Sequence, residues 1–238
     1  SKHDQYWAEC FGVNAAEMES TGVSVVRHRG LGDYQGVWFF LRRGRLLVSA
    51  PEAWVPFLRE QFSCALPELP SRAALSALFG ASFDRCIGPA FHGALDRSTL
   101  RTMPSAQVKP LDEGGGQAVA ALRALCSAND LDNSGVDGAA HYRMGCFDGE
   151  DIVAVAGFRS LGPGAGDPCV LTRPKRRSEG LARAVVGAVL AAAQADGYLL
   201  LYQTLEENLP AIRLASALGY TRYANHVAVR LSSDRPTE

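Results

Sequence analysis

The segment Val170–Arg183 combines basic side chains, a glycine and a predicted helix start, which is the chemistry of an anion-binding turn. The basic residues around this turn are Arg173, Lys175, Arg176, Arg177 and, one turn into the helix, Arg183. Backbone N–H groups at a helix start are unpaired and carry partial positive charge. Because Gly180 has no side chain and Ala182 adds little bulk, that backbone can approach a ligand closely. The segment therefore predicts a cradle for a diphosphate.

Two other phosphate-binding motifs do not occur in the chain. Neither the GxxxxGK[ST] pattern of a P-loop nor the GxGxxG pattern of a dinucleotide-binding turn is found. A run of basic residues is also typical of a solvated surface turn, but the spacing of Gly180 and Ala182 and the helix that follows favour binding. No aromatic residues interleave with the charges, so the loop lacks the pattern of a nucleic-acid patch.

Carboxylates in two further segments are candidates for handling an amine. They are Asp130, Asp132 and Asp137, in a polar segment predicted as a loop, and Glu206 and Glu207, after a predicted strand. Carboxylates accept protons and attract cations, so these residues could bind a cationic group and take up a proton from it. We predict Asp130 or Glu206 as the proton acceptor, with water as the alternative. We predict Asp132, Asp137 and Glu207 as substrate-binding residues; solvated loop or helix-cap carboxylates are the other interpretation.

The composition excludes several classes of partner. The 238 residues carry 24 Lys+Arg and 25 Asp+Glu, a net charge of −1, so no global basic field would hold nucleic acid or an anionic membrane. The 6 cysteines form no CxxC pair and the 5 histidines no HxH or HxxxH spacing, so we expect no metal. No apolar stretch reaches the ~20 residues of a bilayer span, and no export signal is evident. We therefore expect a cytoplasmic protein.

The chain divides into two parts near Arg101–Gly116, where Pro104, Pro110 and Gly114-Gly115-Gly116 break regular structure. Residues 1–105 read as α+β, with a hairpin predicted at Arg43-Gly44. Residues 106–238 follow the order β-β-β-α-β-α-β, which is an α/β layout. Within it, helices are predicted over Gln117–Ser127 and Glu179–Ala195 and a short strand over Cys169–Thr172.

The residues Arg177-Ser178-Glu179-Gly180-Leu181-Ala182 resemble the R/Q-x-x-G-x-G/A signature of the GNAT acetyltransferases, and the chain from about 140 to 231 resembles that family's cofactor half. The resemblance implies acetyl-CoA as co-substrate. It implies a diphosphate held by Arg177, Ser178, Gly180, Leu181, Ala182 and Arg183, and a pantetheine arm along Val170, Leu171 and Thr172. It also implies that Asn208 lies near the arm and the thioester.

For 106–238 the resemblance implies an α/β (α+β) GNAT fold, with a mixed central sheet flanked by helices. We expect 1–105 to form an N-terminal α+β domain, a degenerate GNAT-like copy being one interpretation. Further motifs are similar to a bacterial GNAT subgroup with a long N-terminal half, some members of which acetylate antibiotics. These motifs are Tyr6-Trp-Ala-Glu, Asp33-Tyr-x-Gly-Val, Ile87-Gly-Pro-Ala-Phe, Gly157-Phe and Gln203-x-Leu-x-x-Asn208.

The chain departs from the family at one position. Many members have a tyrosine four residues before the glycine of Leu218-Gly219-Tyr220, where its hydroxyl protonates the leaving thiolate; here the residue is Ala215. The general acid is left open between Tyr202, Ser216, Tyr223 and water, and a CoA thiol of ordinary acidity needs none.

The expected activity is direct transfer of acetyl, in a ternary complex, to a primary amine of a small polycationic molecule. An aminoglycoside-type antibiotic such as kasugamycin is the expected substrate, with resistance as the result. An acyl-enzyme on Cys169 is disfavoured because no cysteine has an evident neighbouring base. Acetylation of a protein N-terminus or lysine, and a non-catalytic acyl-CoA-binding module, are the alternatives. The oligomeric state is left open.

Overall fold

The computed structural model describes residues 1–29, 34–111, 116–138, 141–162 and 164–232. By compactness the chain divides into two units. Unit 1 comprises Ser1–His92, Thr204–Asn208 and Arg222–Glu238, and unit 2 comprises Gly93–Gln203 and Leu209–Thr221. Three residues of the sequence motifs, Asp33, Gly114 and Gly115, lie outside the described residues.

The predicted division between residues 105 and 106 follows sequence patterns, whereas the two units follow compactness. They differ because two segments late in the chain belong to unit 1. The assignment of 1–105 and 106–238 to separate domains therefore stays a prediction.

The helices of the described chain are α1 (Lys2–Phe11), α2 (Val55–Gln61), α3 (Arg72–Phe79), α4 (Gly116–Ala124), α5 (Ala128–Ser134), α6 (Leu181–Ala195) and α7 (Leu209–Leu218). The strands are β1 (Gly22–Arg27), β2 (Gly36–Arg42), β3 (Arg45–Ala50), β4 (Phe83–Ala94), β5 (Val108–Pro110), β6 (His141–Asp148), β7 (Asp151–Ser160), β8 (Ala165–Thr172), β9 (Leu199–Leu205) and β10 (Thr221–Leu231). Among the residues so described, no helix has both the length and the apolar composition of a membrane-crossing segment.

Unit 1 is built on the strand order β1-β3-β2-β10-β4. The predicted hairpin at Arg43-Gly44 is confirmed, since β2 and β3 pair antiparallel on either side of it. Strand residues alternate between two faces, so neighbours in β2 enter different cores. Phe39 packs in a cluster with Trp54, and Phe40 in a cluster with Trp7. Unit 1 thus has an apolar core on each face of its sheet.

Unit 2 is built on the order β9-β8-β7-β6-β5, in which β8 and β9 are parallel and the other pairs antiparallel. Leu171 and its cross-strand partner Val155 form one apolar cluster with Leu122 of α4 and with Val136, which follows α5. Helix α6 packs on β6, β7 and β8. It contributes no residue to that cluster, so it covers the other face of the sheet.

Four of the predicted elements differ from the structure. Helix α4 ends at Ala124 and not at Ser127, and strand β8 begins at Ala165 and not at Cys169. The other two differences have a local cause. The polar segment with Asp130 and Asp132 is not a loop but helix α5, because Ser127 caps its start and Gly135, at φ 65°, ends it. Helix α6 begins at Leu181, two residues later than predicted, because Gly180 takes a left-handed conformation with φ 82°.

Candidate functional site

Strands β8 and β9 separate soon after they begin. Their parallel pairing consists of Ala165 with Leu199 and Gly166 with Leu200. Strand β8 continues to Thr172, where its partner is Ala154 of β7. Unit 2 therefore has a fork that opens beyond Gly166, with one edge of β8 lacking a neighbouring strand.

The backbone groups on this open edge can be identified from the hydrogen bonds at the two ends of β8. Leu199 N donates to Gly164 O at 2.7 Å, on the β9 side, whereas Arg173 N donates to Val153 O at 2.9 Å, on the β7 side. Because successive residues alternate, Val170 and Thr172 direct their N–H and C=O groups towards the fork. Both were predicted to border the cofactor, and Leu171 between them is buried.

The start of α6 offers unpaired donors. Gly180 is the N-cap and no side chain caps the helix, so the N–H groups of the first turn have no partner from a capping residue. The helix is 15 residues long, and its macrodipole favours an anion at this end. A Cβ at Gly180 would lie 3.0 Å from the Met103 methyl carbon, in addition to the strain of φ +82°. The geometry thus suits the close approach of a diphosphate.

Most of the basic side chains in the loop before α6 are already paired. The pairs are Arg173 with Asp151 at 3.4 Å, Arg176 with Asp148 and with Glu179 at 2.8 Å, and Arg177 with Asp130 at 2.7 Å. Lys175 is exposed and Arg183 has a buried Nε without a hydrogen-bond partner. The loop is consequently less positive than its sequence suggests, while Arg183 has no ion pair among the described residues.

Asp130 is engaged on both of its oxygens. Its Oδ2 accepts from the Ser127 hydroxyl at 2.8 Å and the Ser127 N–H at 3.1 Å, and its Oδ1 pairs with Nη2 of Arg177. The bonds from Ser127, and then Arg177, hold the pKa of Asp130 below its usual value. These contacts do not favour Asp130 as the proton acceptor, a role that stays a prediction.

The other predicted carboxylates of unit 2 differ in their partners. Asp137 forms a bidentate ion pair with Arg123, in which the guanidinium donates to both carboxylate oxygens. This pair lowers the pKa of the Asp137 carboxyl. Asp132 is exposed on α5. Of the three α5-region carboxylates, Asp132 is thus the one best placed to meet a cation from solvent.

Three predicted site residues, Glu206, Glu207 and Asn208, belong to unit 1. Glu206 accepts hydrogen bonds from Arg222, at 3.1 Å between Nη2 and Oε2, and from Asn225. The Arg222 guanidinium lowers the pKa of Glu206, so this carboxyl also stays ionised. Glu207 is exposed, and Asn208 N donates to Leu205 O at 3.0 Å.

The hydroxyls left open as general acids are mostly constrained. Burial raises the pKa of Tyr202, whose side chain packs against Tyr220. The Tyr223 hydroxyl, in unit 1, donates to Oδ1 of Asp4 at 2.7 Å, and burial raises its pKa. Ser216 is exposed. None of these contacts assigns the acid.

Cys169 does not have the character of a nucleophile. Its thiol is buried and donates to Gly157 O at 3.3 Å. Burial raises the pKa of the Cys169 thiol to about 11, so it is protonated at neutral pH. Because the thiolate is the reactive form, direct transfer is favoured over an acyl-enzyme.

The sequence analysis missed Asp167, which follows the last paired residue of the fork. Its carboxylate is 1% exposed and accepts from Arg159 Nε at 3.0 Å and Nη2 at 2.9 Å. Burial raises the pKa of Asp167 in spite of this pair. The signal in the sequence was a lone acid beside Pro168 in an otherwise apolar strand. The pair ties β7 to β8 where β9 departs.

Known proteins are similar to this chain in the same region. Residues 120–220 match the model of the Acetyltransferase (GNAT) family. An acetyltransferase of the GNAT family from Colwellia psychrerythraea is 15% identical, with a TM-score of 0.51 over 77% of this chain and 75% of that one. A GNAT-family protein from Novosphingobium aromaticivorans DSM 12444 is 21% identical, with a TM-score of 0.49 over 63% and 67%. No curated protein matches this chain.

The likeness to the Colwellia structure shows that the fold is the GNAT fold. The family match covers residues 120–220, a stretch that includes β8 and the start of α6, and the acetyltransferases of that family use acetyl-CoA as co-substrate. The structure of yncA, described as a putative acetyltransferase from Salmonella typhimurium, was determined with its cofactor acetyl-CoA; it is 14% identical, with a TM-score of 0.40 over 55% of this chain and 96% of that one. Within the described ranges, no group of three or more His, Cys, Asp or Glu side chains could hold a metal ion.

Proposed function

We propose that this chain acetylates a primary amine of a small polycationic molecule, an aminoglycoside-type antibiotic of the kasugamycin kind, and thereby confers resistance to it. The observation that carries the proposal is the open edge of β8, which ends at Thr172 and is followed along the chain by the uncapped start of α6 at Leu181. A strand edge and a helix start are the two features needed to hold an extended, amide-containing arm that ends in a diphosphate.

Acetyl-CoA supplies an activated thioester whose acetyl group passes to the amine nitrogen as the C–S bond breaks and the CoA thiol leaves. The residues proposed for the diphosphate are Arg177, Ser178, Gly180, Leu181, Ala182 and Arg183. The unpartnered Nε of Arg183 and the free first-turn N–H groups support this assignment. Val170 and Thr172 pair with the amides of the arm, and backbone N–H groups near Val170 polarise the thioester carbonyl.

Carboxylates serve in this proposal to attract and orient the cationic acceptor. Asp132 is exposed, and Asp130 and Asp137 lie in the same segment. Hydrogen bonds from Ser127 and then the pair with Arg177 hold Asp130 in the charged form, and the pair with Arg222 does the same for Glu206, so the pKa values of both carboxyls lie below the ordinary range. A base of such low pKa removes a proton poorly at neutral pH. We therefore propose that the carboxylates bind the other ammonium groups of the acceptor, that the attacking nitrogen loses its proton to water before it attacks, and that the N–H proton released during transfer passes through water to the departing CoA thiolate.

The test is release of CoA thiol from acetyl-CoA with a panel of amines: kasugamycin, a second aminoglycoside and a lysine-containing peptide. Turnover with the aminoglycosides and not with the peptide supports the proposal. Turnover with the peptide alone would show that the acceptor is a protein or peptide amine and not an aminoglycoside. Binding of CoA without turnover on any amine favours an acyl-CoA-binding module, for which Ala215 at the usual acid position is the favouring observation.

A matched pair of variants tests the diphosphate assignment in the same assay. Arg177→Gln removes a cation proposed to contact the ligand, and Arg176→Gln removes one held by Asp148 and Glu179. We expect the first to raise the KM for acetyl-CoA about 10- to 150-fold and the second to change it little, since a hydrogen bond to a charged group contributes about 1.5–3 kcal/mol. Equal effects of the two variants contradict the assignment.

A further inference from the structure

The ion pair between Asp130 and Arg177 joins the start of α5 to the loop before α6. Nη2 of Arg177 lies 2.7 Å from Oδ1 of Asp130, and the two side chains are 46% and 22% exposed. This inference rests on the proposed function, because it takes Arg177 as a ligand of the diphosphate. The same guanidinium therefore has two anionic partners, one in the chain and one in the ligand.

We infer that Arg177 is exchanged between these two anions: Asp130 holds it in the free protein, the diphosphate takes it when acetyl-CoA binds, and the released Asp130 carboxylate then binds the cationic acceptor. Asp130 is accordingly a positioning residue for Arg177 in one state and a substrate-binding residue in the other. Its predicted role as a proton acceptor is not needed.

The exchange is favourable because the pair that is lost is weak. A partly exposed ion pair contributes about 0–1 kcal/mol. A diphosphate carries more charge than one carboxylate and presents oxygens that match the planar guanidinium fork. Arg183 and the first-turn N–H groups of α6 already favour an anion at that place. Transfer of Arg177 therefore costs little and adds a contact to the ligand.

The carboxylate that is released stays in place. Ser127 holds Oδ2 of Asp130 through both its hydroxyl and its N–H, and neither contact involves Arg177. The other groups acting on the charge of Asp130 are Ser127 and the thiol of Cys126, neither of which is a cation. Among the residues of unit 2 that the structure describes, Arg177 is thus the cation that masks Asp130.

A second ion pair in the same region provides an internal control. Asp137 is bound by Arg123, and neither residue belongs to the loop before α6. The diphosphate has no route to exchange this pair. The charge state of Asp137 should therefore not respond to the ligand, whereas that of Asp130 should.

The experiment is a ¹³C NMR titration of the aspartate carboxyl carbons in the full chain, free and saturated with CoA. We expect CoA to raise the pKa of Asp130 by about one unit, because a nearby cation is replaced by an anion. We expect the pKa of Asp137 to stay constant. In Arg177→Gln, saturated at a higher CoA concentration, the rise should be clearly smaller, because only the charge of the diphosphate remains to act.

The outcomes separate this inference from the proposed function. An unchanged Asp130 pKa in the CoA-bound protein overturns the exchange but leaves acetyl-CoA binding intact. An equal rise in the wild type and in Arg177→Gln also overturns it. If CoA does not bind to the protein, both this inference and the proposed function are wrong.

A second measurement uses spermidine as a polycationic probe. Its Kd should fall about threefold or more when CoA is bound, because the coupling between two sites is reciprocal. In Asp130→Asn that dependence on CoA should disappear, while in Asp137→Asn it should persist. Persistence of the full coupling in Asp130→Asn contradicts the release of this carboxylate.

Discussion

Replacing Gly180 by alanine separates the stability of α6 from its role at the ligand. Gly180 has φ +82°, where an L side chain is strained, and the added methyl group would meet only the flexible end of Met103 at 3.0 Å. The strain therefore comes from the backbone and not from packing. A second glycine, Gly197, has φ +87° at the other end of the same helix. It is the matched control, because its added Cβ would meet Arg97 at an ordinary 3.9 Å.

The magnitudes follow from these two geometries. The left-handed conformation costs a non-glycine residue about 1–2 kcal/mol, which lowers Tm by roughly 2–8 °C in a chain of this size. Both variants should show this loss. In Gly180→Ala the methyl group also occupies the space next to the first-turn N–H groups. Losing one hydrogen bond to the diphosphate removes about 1.5–3 kcal/mol, so Kd for CoA should rise about 10- to 100-fold.

Isothermal titration with CoA and thermal unfolding of the three proteins measure both quantities. We expect Gly180→Ala and Gly197→Ala to lose similar stability and only Gly180→Ala to lose affinity. Pantetheine, which lacks the diphosphate, should bind the wild type and both variants alike. Equal CoA affinity of the two variants would refute the assignment of the diphosphate to this helix start.

Three further outcomes are expected. Burial lowers the pKa of His92 and lowers that of His226 to about 4, so both are neutral in the folded state. In urea unfolding, the free energy of unfolding should be constant above about pH 6.5 and should fall as pH drops to 4, with roughly 3 kcal/mol of the loss due to His226 and a smaller loss in His226→Gln. Arg159→Ala leaves Asp167 buried without its partner and should cost about 2–4 kcal/mol in the same measurement, much of it regained when Asp167→Leu is added; a loss within error contradicts this account. Cys169→Ala should keep kcat within about threefold, and mass spectrometry should find no acetylated enzyme, since a buried thiol is not the nucleophile.

The sequence predicted the elements whose signals are local. The turn at Arg43-Gly44 and the long helix that ends at Ala195 are each indicated by a short stretch of sequence, and both are found. Helix α5 was missed because its residues are mostly polar, although Ser127 and Asp130 form a capping box that marks a helix start. The polar composition of this segment indicated a loop more strongly than the capping box indicated a helix.

The backbone turn proposed as the candidate site is indicated by the sequence, but the ion pairs among its charged side chains are not. Gly180 and the helix after it predicted the cradle, because a phosphate site at a helix start is a property of one short segment. The pairing of Arg177 with Asp130 joins residues far apart in the chain, so no local pattern could indicate it. The early separation of β8 from β9 likewise depends on tertiary structure. In the sequence it is indicated only by Pro168, which has no backbone N–H to donate to a neighbouring strand.

Because the parallel ladder between β8 and β9 is short, the ligand proposed above would occupy the place of a strand in unit 2. The amides of Val170 and Thr172 should exchange with deuterated solvent quickly in the empty protein and slowly once CoA is seated. The free energy of unfolding then depends on the concentration of CoA. At a CoA concentration a hundred times Kd, the folded state gains about 2.7 kcal/mol. In a cell depleted of acetyl-CoA, the protein would therefore unfold more often and be cleaved more readily by proteases than in a cell rich in acetyl-CoA.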